Sequence, residues 1–126
     1  MAAILIVEDD PITARLLKLL MSNEGHDVKT VATADEAIDA GHDFQPDMII
    51  SDWLLQSEKD GIDVARTLHH EFPHVRIIFV TGLPVDQLRK RTRDLPLVEI
   101  FEKPLDLDAL VETVRREFQD MEVASA

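Results

Sequence analysis

The sequence contains no cysteine, and it has no apolar run long enough to cross a membrane. Without cysteine, the chain has no disulfide, no thiol nucleophile and no thiolate ligand for a metal. Residues 1–4 lack the basic region of a signal peptide and lead directly into an apolar segment. We therefore expect a cytoplasmic protein that does not contact a membrane.

Basic residues are also scarce. Lys and Arg number 13 against 25 Asp and Glu, which gives a formal net charge of −12. A phosphate backbone would be repelled by this charge, so direct nucleic-acid binding is disfavoured. The length of 126 residues suits one domain. We expect that domain to cover residues 1–121, followed by a short frayed tail over 122–126 and no output domain.

Short apolar segments alternate with segments of helical periodicity along the whole chain. The apolar segments predict strands over residues 4–7, 28–31, 48–51, 75–80 and 98–101, and a helix is predicted after each strand. This alternation is typical of an α/β domain, a doubly wound, five-stranded parallel sheet with five helices. The expected fold is therefore flavodoxin-like (βα)5.

Several helix starts carry a capping residue. Asp10 precedes Pro11, Thr33 is followed three residues later by Glu36, and Asp106 precedes the last helix. In the first helix, apolar residues recur at helical spacing, namely Ile12, Leu16, Leu17, Leu20 and Met21. We predict that the second helix ends near Gly41.

Reactive side chains follow four of the five predicted strands. Strand one ends at Glu8 and Asp9, strand three at Asp52, strand four at Thr81 and strand five at Lys103. The carboxyl ends of parallel strands lie along one edge of a sheet, where ligands bind. Carboxylates there suit Mg²⁺, and one carboxylate could attack phosphorus while an ammonium and a hydroxyl stabilise the phosphoryl oxygens.

Each of these residues alone also has an ordinary structural explanation. Asp52 could cap a turn, Glu8 and Asp9 could interact with a helix N-terminus, and Lys103 could be a solvated surface residue. The combination is more specific. Together with Asp60-Gly61, Thr81-Gly82 and Lys103-Pro104, it resembles the receiver domains of two-component response regulators over nearly the whole chain.

The resemblance implies a role for each matching residue. Asp52 would be the phosphoacceptor, with Thr81 binding the phosphoryl group and Lys103 pairing with Asp52. Mg²⁺ would be bound by Asp9, Asp52 and the backbone carbonyl of Leu54, and by Glu8 through a water molecule. Pro104 would follow a cis peptide bond.

The resemblance also implies the type of function. The chain would be a single-domain response regulator, a monomer or weak homodimer, that catalyses only its own phosphorylation and dephosphorylation. A histidine kinase or histidine phosphotransfer protein would supply the phosphoryl group, and a downstream protein would bind near helices four and five. Two alternatives stay open: an interaction module that acts without phosphorylation, and a Mg²⁺-dependent phosphohydrolase.

The sequence departs from the family pattern at several positions. The loop after Asp52 lacks the usual proline, and Ile100 stands where an aromatic residue is common, with Phe101 next to it.

Leu54 and Leu83 would flank the phosphoacceptor. We therefore hypothesise that the phosphorylated chain dephosphorylates itself slowly. We expect Trp53 at the rim of the site. The basic segment 89–93 could be a solvated helix face or could bind an acidic partner.

Overall fold

The computed structural model describes the backbone of residues 2–125 and the side chains of residues 2–119. Strands and helices alternate along the chain, as predicted. In order they are β1 Ala3–Val7, α1 Pro11–Asn23, β2 Asp27–Val31, α2 Ala34–Phe44, β3 Met48–Asp52, α3 Gly61–Glu71, β4 Arg76–Thr81, α4 Val85–Arg91, β5 Leu97–Glu102 and α5 Leu107–Ser125.

All five strands belong to one parallel sheet with the order β2-β1-β3-β4-β5. The chain moves outward in one direction from β1 to β2, then returns across β1 to β3 and continues in the other direction. The predicted flavodoxin-like (βα)5 class is therefore confirmed. The reversal of strand order lies between β1 and β3, and in such sheets this point forms a crevice at the carboxyl edge.

Each face of the sheet is covered by its own layer of helices. Buried side chains of α2, α3 and α4 pack on one face, and those of α1 and α5 pack on the other. Because side chains alternate along a strand, Ile100 points into the first layer and Phe101 into the second. Phe101 therefore lies on the opposite face of the sheet from Ile100 and cannot take its place beside α4.

The predicted capping residues make their expected hydrogen bonds. The carboxylate of Asp10 accepts from the Thr13 N–H, the Thr33 hydroxyl accepts from the Glu36 N–H, and Asp106 accepts from the Ala109 N–H. These bonds satisfy amide groups that have no partner within the helix. Short polar side chains thus fix where α1, α2 and α5 begin.

The structure extends one predicted helix end. The helix α2 passes Gly41, where it was predicted to end, and continues to Phe44. Gly41 is buried in the helix interior and packs against Leu68, so closely that a Cβ at Gly41 would lie 2.4 Å from Leu68 Cδ2. The helix α5 runs to Ser125, and the fraying of residues 122–126 stays a prediction. None of the described helices has the length and apolar content of a membrane span.

The helix α1 carries two apolar stripes, and only one of them faces the sheet. Leu17 and Met21 are buried, whereas Ile12, Leu16 and Leu19 are exposed by 79%, 44% and 58%. We call these three exposed residues the α1 ridge. The ridge begins one turn after the acidic end of β1, so it borders the carboxyl edge of the sheet.

Gly61, the first residue of α3, packs directly against the end of β3. A Cβ at this position would lie 2.0 Å from the backbone oxygen of Asp52 and 2.8 Å from Ser51 Oγ. Both groups are fixed, because Ser51 Oγ donates a hydrogen bond to that same oxygen. Only a residue without a side chain allows α3 to start so close to Asp52.

We predict that Gly61→Ala lowers the free energy of unfolding by about 1–3 kcal/mol, the usual range for overpacking a rigid site. Urea unfolding of Gly61→Ala measures this loss. Gly82→Ala is the matched control, since a Cβ at Gly82 meets no atom within 4 Å. Equal effects of the two substitutions would contradict the close approach at Gly61.

Candidate functional site

Three carboxylates meet at the point where the strand order reverses. Glu8 and Asp9 directly follow β1, and Asp52 is the last residue of the neighbouring strand β3. One carboxylate oxygen from each of the three lies within 4.8 Å of the others. We call this group the acidic cluster. The predicted convergence of Glu8, Asp9 and Asp52 is therefore present in the structure.

Lys103 brings a positive charge to the acidic cluster from β5. Its Nζ lies 2.9 Å from Asp52 Oδ2 and 3.7 Å from Glu8 Oε2. The Lys103 N–H donates to the Thr81 carbonyl at 2.8 Å, which ties the segment after β5 to the end of β4. The Lys103–Pro104 peptide bond is cis, as the resemblance implied.

Burial and charge shift the proton affinities within this group. Glu8 is only 3% exposed, and this burial raises the pKa of its carboxyl above the ordinary value, with a further contribution from the charge of Asp52. The Asp10 N–H, which donates to Glu8, and the Lys103 ammonium oppose the rise. Glu8 is therefore the carboxyl whose ionisation is disfavoured in the folded chain.

Lys103 shows the opposite balance. Burial alone would lower the pKa of its ammonium, but the hydrogen bond to Asp52 and the charges of Asp52 and Glu8 outweigh burial, so the pKa is raised. Lys103 is therefore a fixed positive charge at neutral pH and holds its proton too tightly to donate it readily. It can stabilise negative charge on Asp52 or on a group attached to Asp52.

The acidic cluster fits a small hard cation. Its three carboxylates exceed the single compensating ammonium, and carboxylate oxygens are the ligands that Mg²⁺ prefers in proteins. A cation with few protein ligands keeps several waters, which requires access from solvent. The side chain of Asp52 is 12% exposed, and Asp9 is partly exposed, so the cluster is open on that side.

Thr81 and Leu54 are placed at the same edge, but the structure gives them fewer contacts. Thr81 is buried at the end of β4, next to β3, and its hydroxyl accepts from the Leu83 N–H at 3.0 Å. Leu54 lies in the loop after β3, and its side chain is exposed, as is that of Leu83. The proposed binding roles of Thr81 and of the Leu54 carbonyl stay predictions.

The expectation that Trp53 lies at the rim is wrong. Its side chain is 4% exposed and belongs to the core layer beneath α3 and α4. Alternation of side chains along β3 puts Trp53 in the same layer as Ile49, and there Trp53 Nε1 donates to Asp60 Oδ2 at 3.2 Å. The Gly61 N–H also donates to the Trp53 carbonyl at 2.7 Å, which closes the loop.

Asp60 is a residue whose structural role was missing from the sequence analysis. Its carboxylate caps α3 by accepting from the N–H groups of Ile62 and Asp63, while Asp63 accepts from the Asp60 N–H. This reciprocal arrangement is a capping box with aspartate in place of the usual glutamate. The Asp-x-x-Asp spacing was the available signal, and Asp60 fixes both α3 and the indole of Trp53.

Comparison with known proteins gives one family. The sequence model described as response regulator receiver domain matches residues 4–115. The DNA-binding response regulator MtrA of Mycolicibacterium smegmatis is 30% identical over 95 residues, which cover 75% of this chain and 37% of MtrA. The cell cycle transcriptional regulator CtrA of Caulobacter vibrioides is 29% identical, covering 86% of this chain and 46% of CtrA.

The chain spans less than half of the length of these two relatives. By contrast, the similarity to the polar-differentiation response regulator DivK of Brucella ovis covers 90% of this chain and 93% of DivK at 26% identity. Among solved structures, a CheY-like receiver domain protein of Methanospirillum hungatei superimposes with a TM-score of 0.88. It is 22% identical and covers 98% of both chains, so it supports the fold.

The raised pKa of Glu8 predicts a pH dependence of stability. Because the folded chain holds this proton more tightly than the unfolded chain, ionisation of Glu8 favours unfolding. The stability of the wild type relative to Glu8→Gln should therefore fall as pH rises through and above the ordinary glutamate value of 4.5.

Denaturant unfolding in EDTA from about pH 4 to about pH 7 measures this difference. Glu58→Gln, in the exposed part of the loop after β3, is the control and should show no comparable fall. A wild type that gains stability relative to Glu8→Gln over this range would contradict the assignment.

Proposed function

Since the chain belongs to the response regulator receiver domain family, we propose that Asp52 accepts a phosphoryl group from a phosphohistidine donor in a Mg²⁺-dependent reaction. Members of this family are signalling modules of two-component systems. The observation that carries the proposal is the ion pair between Asp52 and Lys103 beside Glu8 and Asp9. It combines a carboxylate nucleophile, a fixed positive charge and two further acidic ligands at one sheet edge.

Asp52 is suited to act as the nucleophile. One of its oxygens would form a bond to phosphorus, while the bond from phosphorus to the donor imidazole nitrogen breaks and leaves its electron pair on the imidazole. Lys103 would stay hydrogen-bonded at this position and stabilise the added negative charge. The buried Thr81 hydroxyl, at the end of the next strand, would hydrogen-bond a phosphoryl oxygen.

The acidic cluster would hold Mg²⁺ in this reaction. Asp9 and Asp52 would bind it directly, with the backbone carbonyl of Leu54, and Glu8 would act through a bound water. When bound, the ion supplies positive charge that reduces repulsion between Asp52 and an incoming phosphoryl group.

The proposed partners are those that membership of the family implies. A histidine kinase or a histidine phosphotransfer protein would be the donor, in the cytoplasm, and the phosphorylated chain would bind a downstream protein through a surface near α4 and α5. Output by protein binding rather than by direct DNA contact agrees with the net charge of −12. The similarity covers 93% of DivK, so a named response regulator consists of little more than the region that matches this chain.

Phosphorylation can be tested directly. Incubation with acetyl phosphate and Mg²⁺ should add the mass of one phosphoryl group to the intact protein, and both omission of Mg²⁺ and Asp52→Asn should abolish this gain. Asp47→Asn is the matched control, since Asp47 precedes the same strand and accepts from the Ala3 N–H outside the acidic cluster. A gain that persists in Asp52→Asn would contradict Asp52 as the acceptor.

A second prediction concerns the lifetime of the phosphoryl group. The exposed side chains of Leu54 and Leu83 would shield the acyl phosphate from hydrolytic water and make self-dephosphorylation slow. Leu54→Asn should shorten the half-life of the phosphorylated protein, because an amide can position water where the isobutyl group excludes it. Loss of the added mass over time measures this half-life. An unchanged half-life in Leu54→Asn would show that Leu54 does not control the access of water to the acyl phosphate.

A further inference from the structure

Trp53 is covalently next to the proposed phosphoacceptor and is buried on the face of the sheet that α4 covers. Its ring belongs to the same core layer as Leu88, which is the fully buried residue of α4, and Ile100. Phe101 faces the other layer. Trp53 thus adjoins Asp52 in the chain and lies in the core layer that α4 covers.

The indole is held by two charged groups from different helices. The carboxylate of Asp60, the N-cap of α3, accepts from Nε1 at 3.2 Å. The guanidinium carbon of Arg91, the last residue of α4, lies 5.7 Å from the ring centroid, within the range of a cation–π interaction. A displacement of the ring therefore changes a contact with α3 and a contact with α4 at the same time.

The C-terminal end of α4 is also fastened to α3. Arg66 donates through Nη2 to the backbone carbonyl of Arg91, and its Nε and Nη2 donate to the carboxylate of Asp94 at 3.0 and 2.9 Å. By contrast, the N-cap of α4, Pro84, makes no side-chain capping bond, and the helix has seven residues. The buried side chain of Leu88 packs this short helix on the core, and the contacts at Arg91 add a second attachment at its C-terminal end.

We propose that Trp53 and Arg91 form a mechanical link through which the state of Asp52 is sensed at α4. The inference rests on the proposed function, because it requires a group bound at Asp52. Such a group adds negative charge beside Lys103 and next to Trp53 in the chain. Because the Gly61 N–H holds the Trp53 carbonyl, the indole and its contacts with Asp60 and Arg91 are the part of this residue that would respond to the group.

The link works in both directions. If binding at Asp52 favours one position of α4, fixing α4 in that position must favour binding at Asp52 by the same factor. A partner that binds α4 would therefore prolong or shorten occupancy of the site without touching it. Removal of the Arg91 cation should weaken the coupling by about two- to fivefold, as expected for a partly exposed cation–π contact.

The test uses the whole chain with beryllium fluoride and Mg²⁺ as the mimic of a bound phosphoryl group. Calorimetry measures binding of the mimic, and amide hydrogen exchange of residues 85–91 with and without it measures the response of α4. Arg91→Gln removes the cation and leaves the backbone carbonyl that Arg66 contacts. Arg91→Lys keeps the charge. Arg93→Gln is the matched control, since the side chain of Arg93 is exposed and forms no ion pair or cation–π contact within residues 2–119.

We expect the mimic to change the amide hydrogen exchange of α4 in the wild type and in Arg93→Gln. In Arg91→Gln this change should shrink about two- to fivefold, and in Arg91→Lys part of it should return. A wild-type response retained in Arg91→Gln, or binding without any response of α4, would overturn the link alone. Failure of the wild type to bind the mimic and to gain mass from acetyl phosphate would instead overturn the proposed function.

Discussion

Repulsion among three carboxylates at the ends of two neighbouring strands is the constraint around which the rest of the structure is arranged. Because β1 and β3 are hydrogen-bonded neighbours, Glu8, Asp9 and Asp52 cannot separate without breaking the sheet. The start of α1 near Asp10 places positive helix-dipole charge close to this group. Lys103 supplies the only full positive charge that the described residues bring within an ion-pair distance of Asp52.

The sequence was sufficient to predict this arrangement because the relevant contacts follow from topology. In a parallel sheet the strand ends lie on one edge whatever the helices do, so topology places Asp52 and Lys103 on that edge although they are 51 positions apart, and the resemblance implied that they pair. Local capping signals were equally informative. Asp10, Thr33 and Asp106 act within three residues of themselves, and no distant contact is needed to interpret them.

Other features depend on contacts that no local pattern specifies. The Trp53 side chain contacts Asp60 and Arg91, which lie seven and 38 positions further along the chain, and the sequence pattern does not show these contacts. The sequence predicted that α2 ends at Gly41, since glycine often ends a helix. The glycine instead packs against Leu68 of α3, a contact that no local pattern shows. In α1, periodicity predicted the helix but could not distinguish the stripe that faces the sheet from the ridge that faces solvent.

The α1 ridge has a consequence for how this chain can vary. Ile12, Leu16 and Leu19 are exposed and contribute little to the free energy of unfolding, so substitutions there carry a small cost in stability. Leu17 and Met21, on the same helix, are buried and have no such freedom. The residues of the α1 ridge, at the border of the acidic edge, can therefore be substituted without unfolding the domain. Selection for binding at this border can act on them separately from selection for stability.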